Sequence, residues 1–204
     1  MTSQAAIPVE AIDELFKALS VLSRTVDHIL QERAVEEALS EPVSYSKVQV
    51  LRLLSQRGGQ TSSQIARFLG ITRPSVSQIT DVLERAGWTT RRAGEQDGRE
   101  SIHELVDEGR RQFNGVRRQQ RHLLRTTLRL ADENNAQAWT ALLHTIAGFL
   151  ARSDRAFKHY CLQCGAHADG TCVLVGGDTD CPFLRHAQDG RQGAQHQPSR
   201  RRTH

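Results

Sequence analysis

Apolar residues recur at the three- and four-residue spacing of an amphipathic helix through most of this chain. Ile12, Leu15, Phe16, Leu19, Leu22, Val26, Ile29 and Leu30 form one such stripe, predicting a long helix from Pro8 to Leu39. A second helix, about Ser46 to Gln56, carries Val48, Val50, Leu51, Leu53 and Leu54 and stops at Gly58-Gly59. Thr61-Ser62-Ser63-Gln64 is a capping box that opens a short helix, Ile65 to Leu69, ending at Gly70. From Thr72 to Gly87 a further helix is predicted, with Thr72 as N-cap, Pro74 in the first turn and Gly87 as the stop. Its apolar positions Val76, Ile79, Leu83 and Ala86 should face a core, leaving Arg73, Ser75, Ser77, Gln78 and Asp81 on the other side.

Two short helices separated by Gly-Ile-Thr make a helix-turn-helix. Beyond it, residues 88–93 and 100–105 read as paired strands around the polar, Gly-rich tip Gly94-Glu95-Gln96-Asp97-Gly98-Arg99. Helix, helix, hairpin is a winged helix-turn-helix, so the fold class is mainly α with a small β-hairpin wing. The exposed flank of the Thr72 helix has the chemistry of a major-groove reader. Ser and Gln bond base edges, and Arg pairs with guanine. Taken alone, that flank is equally compatible with a solvated surface.

After the wing, about Asp107 to Leu130 is helical, with Phe113, Val116, Leu123, Leu124 and Leu128 inward. A last helix, about Asp132 to Phe157, carries Trp139, Leu142, Leu143, Ile146, Phe149 and Leu150. The winged core is too small to bury all these stripes. Long helices on either side of it pack most simply against the same helices of a second copy, giving a two-fold dimer. Recognition helices about 34 Å apart would then read an inverted repeat in double-stranded DNA.

Between about Ser44 and Gly109 the chain resembles the MarR family of bacterial transcription regulators. Leu51, Leu54, Ser63, Ile65, Ala66, Leu69, the Thr72–Gly87 helix, Arg91, Arg92, Asp97, Arg99, Leu105 and Gly109 carry the resemblance. It implies a dimeric DNA-binding regulator, expected to act as a repressor. Thr72, Arg73, Ser75, Ser77 and Gln78 would read bases, and Ser63, Arg91 and Arg92 would hold phosphates. Arg99, oriented by Asp97, would enter the minor groove, whose negative potential suits a guanidinium. One departure is Val106, where the family has a capping Thr; Asp107 is expected to cap the next helix instead.

Charge adds little. There are 27 Lys and Arg against 23 Asp and Glu, a modest excess that fits nucleic acid but also ordinary proteins. Only Lys17, Lys47 and Lys158 are lysines, and Arg is the better residue for bidentate contacts. The helix after the wing holds Arg110, Arg111, Arg117, Arg118, Arg121, Arg125 and Arg129 without an acidic residue between Gly109 and Ala131. The plainer reading is a solvated face; the other is a sequence-independent phosphate contact near its N-terminal end. No long apolar run or signal pattern occurs, so a cytoplasmic, non-membrane protein is expected.

All four cysteines fall in one window, Cys161-x2-Cys164-x7-Cys172-x8-Cys181. Glycine-rich and poor in apolar residues, such a loop needs a staple. In a reducing cytosol that staple is a metal in preference to disulfides. Four thiolates suit zinc or an iron–sulfur cluster. The irregular second pair, ending in Cys181-Pro182, tilts the choice slightly to iron–sulfur, with redox or iron sensing as the implied role. His159, His167 and His186 could each replace a thiolate, although a plain surface histidine is the simpler reading. His103 is expected to point inward, as a core histidine rather than a sensor.

The predicted layout is a dimerisation helix over 1–43, the winged domain over 44–109, further dimerisation helices over 110–158, the cysteine module over 159–186, and a basic tail over 187–204 whose composition predicts disorder. No enzyme activity is expected. The other readings are a regulator with structural zinc that answers a small-molecule effector, and a winged-helix adaptor or metal-dependent thiol enzyme, neither of which needs DNA. An Arg99→Ala change sets the DNA-binding readings apart from the last, since an adaptor or enzyme should not notice it.

Overall fold

The computed structural model describes residues 7–39, 43–94, 101–128 and 132–153, together with 166 and 172. A continuous helical run begins with α1 (Val9–Thr25), widens into a π-helical segment (Val26–Arg33) and closes with α2 (Ala34–Ala38). The expected long helix is therefore present, but its middle is π rather than α. Within that segment the Leu30 carbonyl accepts a hydrogen bond from Gln120 Nε2 at 2.8 Å. Then follow α3 (Tyr45–Arg57), β1 (Gln60–Thr61), α4 (Ser62–Leu69), α5 (Arg73–Arg85), β2 (Thr89–Ala93), β3 (Ser101–Leu105), α6 (Asp107–Thr127) and α7 (Glu133–Ser153).

By its internal contacts the chain falls into two compact units, residues 1–60 with 77–129 and residues 61–76 with 130–204. In the first, α2, the π segment and α3 pack on α6, and α3 also meets β3. Val35, Val48, Leu51, Leu54, Leu83, Trp88, Phe113 and Val116 are among its buried apolar residues. In the second, Ile65, Ala66 and Val76 are buried.

The hairpin is antiparallel in the register Thr89↔Leu105, Arg91↔His103 and Ala93↔Ser101. A third strand that the hydrophobic pattern does not announce, β1, completes the sheet in the order β1-β3-β2. Two residues are too few to show alternation. Trp88, expected in the strand, precedes it and is buried.

Four details of the helices depart from expectation. Ala86 is exposed, and Thr80 takes its place on the buried side of α5. Thr80 is tolerated there because its hydroxyl donates to the Ser77 carbonyl at 3.2 Å. Asp107 does not cap α6: Val106 holds the cap position with no side-chain bond, and Asp107 lies in the first turn. Leu124 is exposed, and α6 ends at Thr127. Before α7, Asp132 Oδ1 accepts from the Asn135 N–H at 2.7 Å, so Asp132 caps the helix rather than belonging to it. No described helix is long and apolar enough to cross a membrane.

The hairpin base is joined to α6 by a close backbone approach. The Val106 N–H donates to the Trp88 carbonyl at 3.1 Å. Gly109, in the first turn of α6, lies so near that an added Cβ would stand 2.0 Å from the same oxygen. Gly109→Ala should therefore cost about 1–3 kcal/mol of stability or more in urea denaturation. Gly115→Ala is the control, because only the end of Arg118 comes near its Cβ, at 3.8 Å, and the change should be neutral or mildly stabilising.

Candidate nucleic-acid interface

The helix-turn-helix is built by local chemistry. Thr61 Oγ1 accepts from the Gln64 N–H at 3.3 Å while Gln64 Oε1 accepts from the Thr61 N–H at 2.8 Å, the reciprocal pair that starts α4. Gly70 ends α4 in the left-handed region at φ 68°, where a Cβ is disfavoured, and Ile71 N–H returns to the Ala66 carbonyl at 3.1 Å. Two residues later Thr72 starts α5 by accepting from the Ser75 N–H at 3.3 Å.

Sequence-predicted reading residues are not equivalent in this geometry. Thr72 and Ser75 share a hydroxyl–hydroxyl hydrogen bond of 2.9 Å, and Ser75 is half-buried, so both are committed to shaping the helix start. Arg73, Ser77 and Gln78 are exposed, and none has a side-chain partner among the described residues. On a helical projection Ser77 and Gln78 lie on the exposed arc, away from Val76 and Leu83, whereas Arg73, seven residues before Thr80, projects from the first turn on the side of Thr80. Ser63 is half-buried in the first turn of α4.

Lower on the same arc stand two carboxylates. Asp81 Oδ1 meets Arg91 Nη2 at 2.8 Å, and Glu84 Oε2 lies 3.6 Å from Arg91 Nε. Arg92 is paired with Glu104 on the neighbouring strand at 2.7 Å. The two arginines expected to hold phosphates are thus already neutralised within the chain, a pairing that spacing alone did not reveal. All five side chains are at least a third exposed, so these bonds are weak enough for a phosphate to compete. Asp97 and Arg99 lie outside the described residues, as do Cys161, Cys164 and Cys181. Cys172 is half-buried and a free thiol.

His103 faces inward as expected, with 1% of its surface exposed. Burial, reinforced by the neighbouring Arg91 charge, holds its imidazole below the ordinary histidine value, against the opposing pull of Glu84 and Asp81. The unfolded chain, whose histidine titrates near about 6.5, thus binds this proton more readily than the folded one. Stability should rise with pH through the window just below that value and be complete above it. Urea midpoints followed between about pH 5 and about pH 8 should show a flatter slope for His103→Leu than for the parent. Identical slopes would mean that His103 contributes nothing to the acid limb.

Residues 43–101 match the MarR family model. A curated relative, the uncharacterized HTH-type transcriptional regulator YfiV of Bacillus subtilis (strain 168), is 27% identical over 104 residues, covering 51% of this chain and 65% of that protein. The chain thus spans just under two thirds of that relative's length. Among solved structures, the YusO protein of Bacillus subtilis aligns with a TM-score of 0.58 at 20% identity, over 70% of this chain and 98% of its own. A MarR family protein from Bacillus stearothermophilus aligns at 0.60 and 18% identity, over 71% and 99%.

Proposed function

We propose that this chain, a MarR-type winged-helix protein by its fold and by the match over residues 43–101, is a dimeric, sequence-specific DNA-binding transcription regulator that acts as a repressor. One observation carries the reading: Arg73, Ser77 and Gln78 stand exposed and uncommitted on α5, which Asp81 ties to Arg91 of β2. A guanidinium, a hydroxyl and an amide are the groups that distinguish base pairs in the major groove. Thr72 and Ser75 serve this surface mainly by fixing the helix start, while Arg91 and Arg92 reach phosphates by exchanging carboxylate partners. Arg99, oriented by Asp97, is assigned to the minor groove. The bare apolar stripes of α1 and α7 support assembly with a second copy, and hence an inverted-repeat operator.

Fluorescence anisotropy with a selected operator tests the assignment. Arg73→Ala and Gln78→Ala should each cost about 1–3 kcal/mol and relax preference at single base positions. Ser75→Ala should instead act through helix stability. Logarithmic affinity should fall linearly with logarithmic salt, by about 0.9 per phosphate neutralised, and Arg99→Ala should weaken binding. Full affinity in both Arg73→Ala and Arg99→Ala would overturn the reading.

The cysteine window adds a metal centre to this proposal. Four soft thiolates from Cys161, Cys164, Cys172 and Cys181 suit an iron–sulfur cluster, slightly preferred, or Zn2+. The free thiol of Cys172 is compatible with either. Such a centre, following α7 directly in sequence, is assigned to sensing iron or redox state. Protein purified without oxygen should carry iron and sulfide with absorbance near ~400 nm, or about one zinc per chain. If stripping the metal leaves operator affinity unchanged, the centre is structural and the sensing role falls.

A further inference from the structure

Away from the proposed DNA-reading surface, the middle of α6 presents a concentration of positive charge with no carboxylate set against it among the described residues. Arg118, Arg121, His122 and Arg125 recur at three- and four-residue spacing, so they share one side of the helix. With Thr126 they line an open concavity of about 520 Å3 that contains no acidic residue among its described walls. All three arginines are exposed, and among the described residues none is ion-paired.

Arg33, Arg91, Arg92 and Arg111 each hold a carboxylate. The carboxylate that reaches this part of α6 is Glu37, and both its oxygens are committed, one to Arg33 and one to Gln119. Those two bonds hold its carboxyl below the ordinary range. Like charges at such spacings destabilise a helix, so the arrangement carries a cost that a bound anion would remove. Planar guanidinium groups bind carboxylate and phosphate oxygens bidentately, which suits them to a ligand with several oxyanion charges.

We propose that the Arg118–Arg121–His122–Arg125 face of α6 is a binding site for a small polyanion, a metabolite bearing two or more carboxylate or phosphate charges. The site does not rest on the DNA-binding reading, since none of its residues belongs to that surface.

Isothermal titration calorimetry of the full chain at about 0.15 M salt tests it, using citrate, inorganic pyrophosphate and the monoanion acetate as probes. Citrate or pyrophosphate should bind saturably at one per chain, and acetate should not. Whichever of the two binds more tightly identifies the carboxylate or phosphate source. Arg121→Gln and Arg125→Gln should each weaken binding at least about tenfold, while Arg24→Gln on α1 should not. The bound polyanion should raise the melting temperature of the parent but not of either variant. Arg118→Gln provides a third variant should one of these fail to fold.

Absent saturation by either polyanion, or equal binding by the parent and all variants, the proposal is overturned. It is equally overturned if the parent binds no small anion and the variants instead dissociate in sedimentation, since the arginines would then hold a second copy. Loss of affinity for every duplex alike, with a shallower salt slope and no small-anion binding, would assign them to the DNA backbone.

Discussion

The approach of α6 to the Trp88 carbonyl is the constraint on which the winged region depends. Trp88 closes the turn after α5, and its oxygen accepts from Val106 at the far end of β3. The beginning of the hairpin and its end are thereby pinned at one point. Any wing built on Thr89–Ala93 and Ser101–Leu105 must project from that base in a fixed register. Gly109 allows the pinning because its missing Cβ leaves room for the oxygen; the surrounding Leu105 side chain would also be struck, at 2.8 Å. Side chains on α5 and on the wing are thus positioned relative to one another by backbone contact rather than by long, mobile side chains.

Electrostatics divides the exposed arc of α5 into two parts. Its first turns offer a guanidinium, a hydroxyl and an amide. Its last turns offer Asp81 and Glu84, which would repel phosphate if left alone. Arg91 neutralises them, at 2.8 and 3.6 Å, and in doing so ties β2 to α5. Removing Arg91 would therefore expose two carboxylates as well as delete a cation, and its effect on a polyanionic partner should exceed that of one lost contact. His103 sits opposite Arg91 in the register, so both side chains leave the same face of the hairpin and the Arg91 cation disfavours a proton on the imidazole.

Much of this architecture was legible in the residues. Thr61, Gln64, Gly70 and Thr72 announce helix boundaries through local hydrogen bonding and backbone preference, which need no tertiary information, and all four act as read. Where burial depends on neighbours, periodicity misled. Ala86 satisfies the helical spacing but lies exposed, whereas Thr80, polar by type, is buried because its hydroxyl finds a carbonyl in its own helix. The ion pairs of Arg91 and Arg92 were hidden for a related reason, since a partner ten or twelve residues away is chosen by the sheet and not by spacing. Likewise the π turn at Val26–Arg33 leaves no mark on the apolar stripe, and its Leu30 carbonyl is bonded by Gln120, distant in sequence.

The flanking helices pose a problem of a different kind. Val9, Ile12, Leu15, Phe16, Val21 and Leu22 are all exposed on α1, which has no buried residue, and Trp139, Leu142, Leu143, Phe149 and Leu150 are exposed on α7. Full burial of one such side chain is worth about 1.5–3 kcal/mol, so two stripes of this length leave a large driving force unused in a single chain. Scattered surface leucines need no explanation, but continuous stripes at helical spacing do. Association spends an estimated 4–15 kcal/mol on lost rigid-body freedom, and several of these residues buried together would offset it. A second copy of the same stripes is the partner that requires no further assumption, and two-fold symmetry would then present the pair of α5 surfaces to one duplex. On the proposed reading, dimerisation and DNA reading would be a single property, because the bare stripes that would hold the pair together would also bring two α5 helices to one duplex.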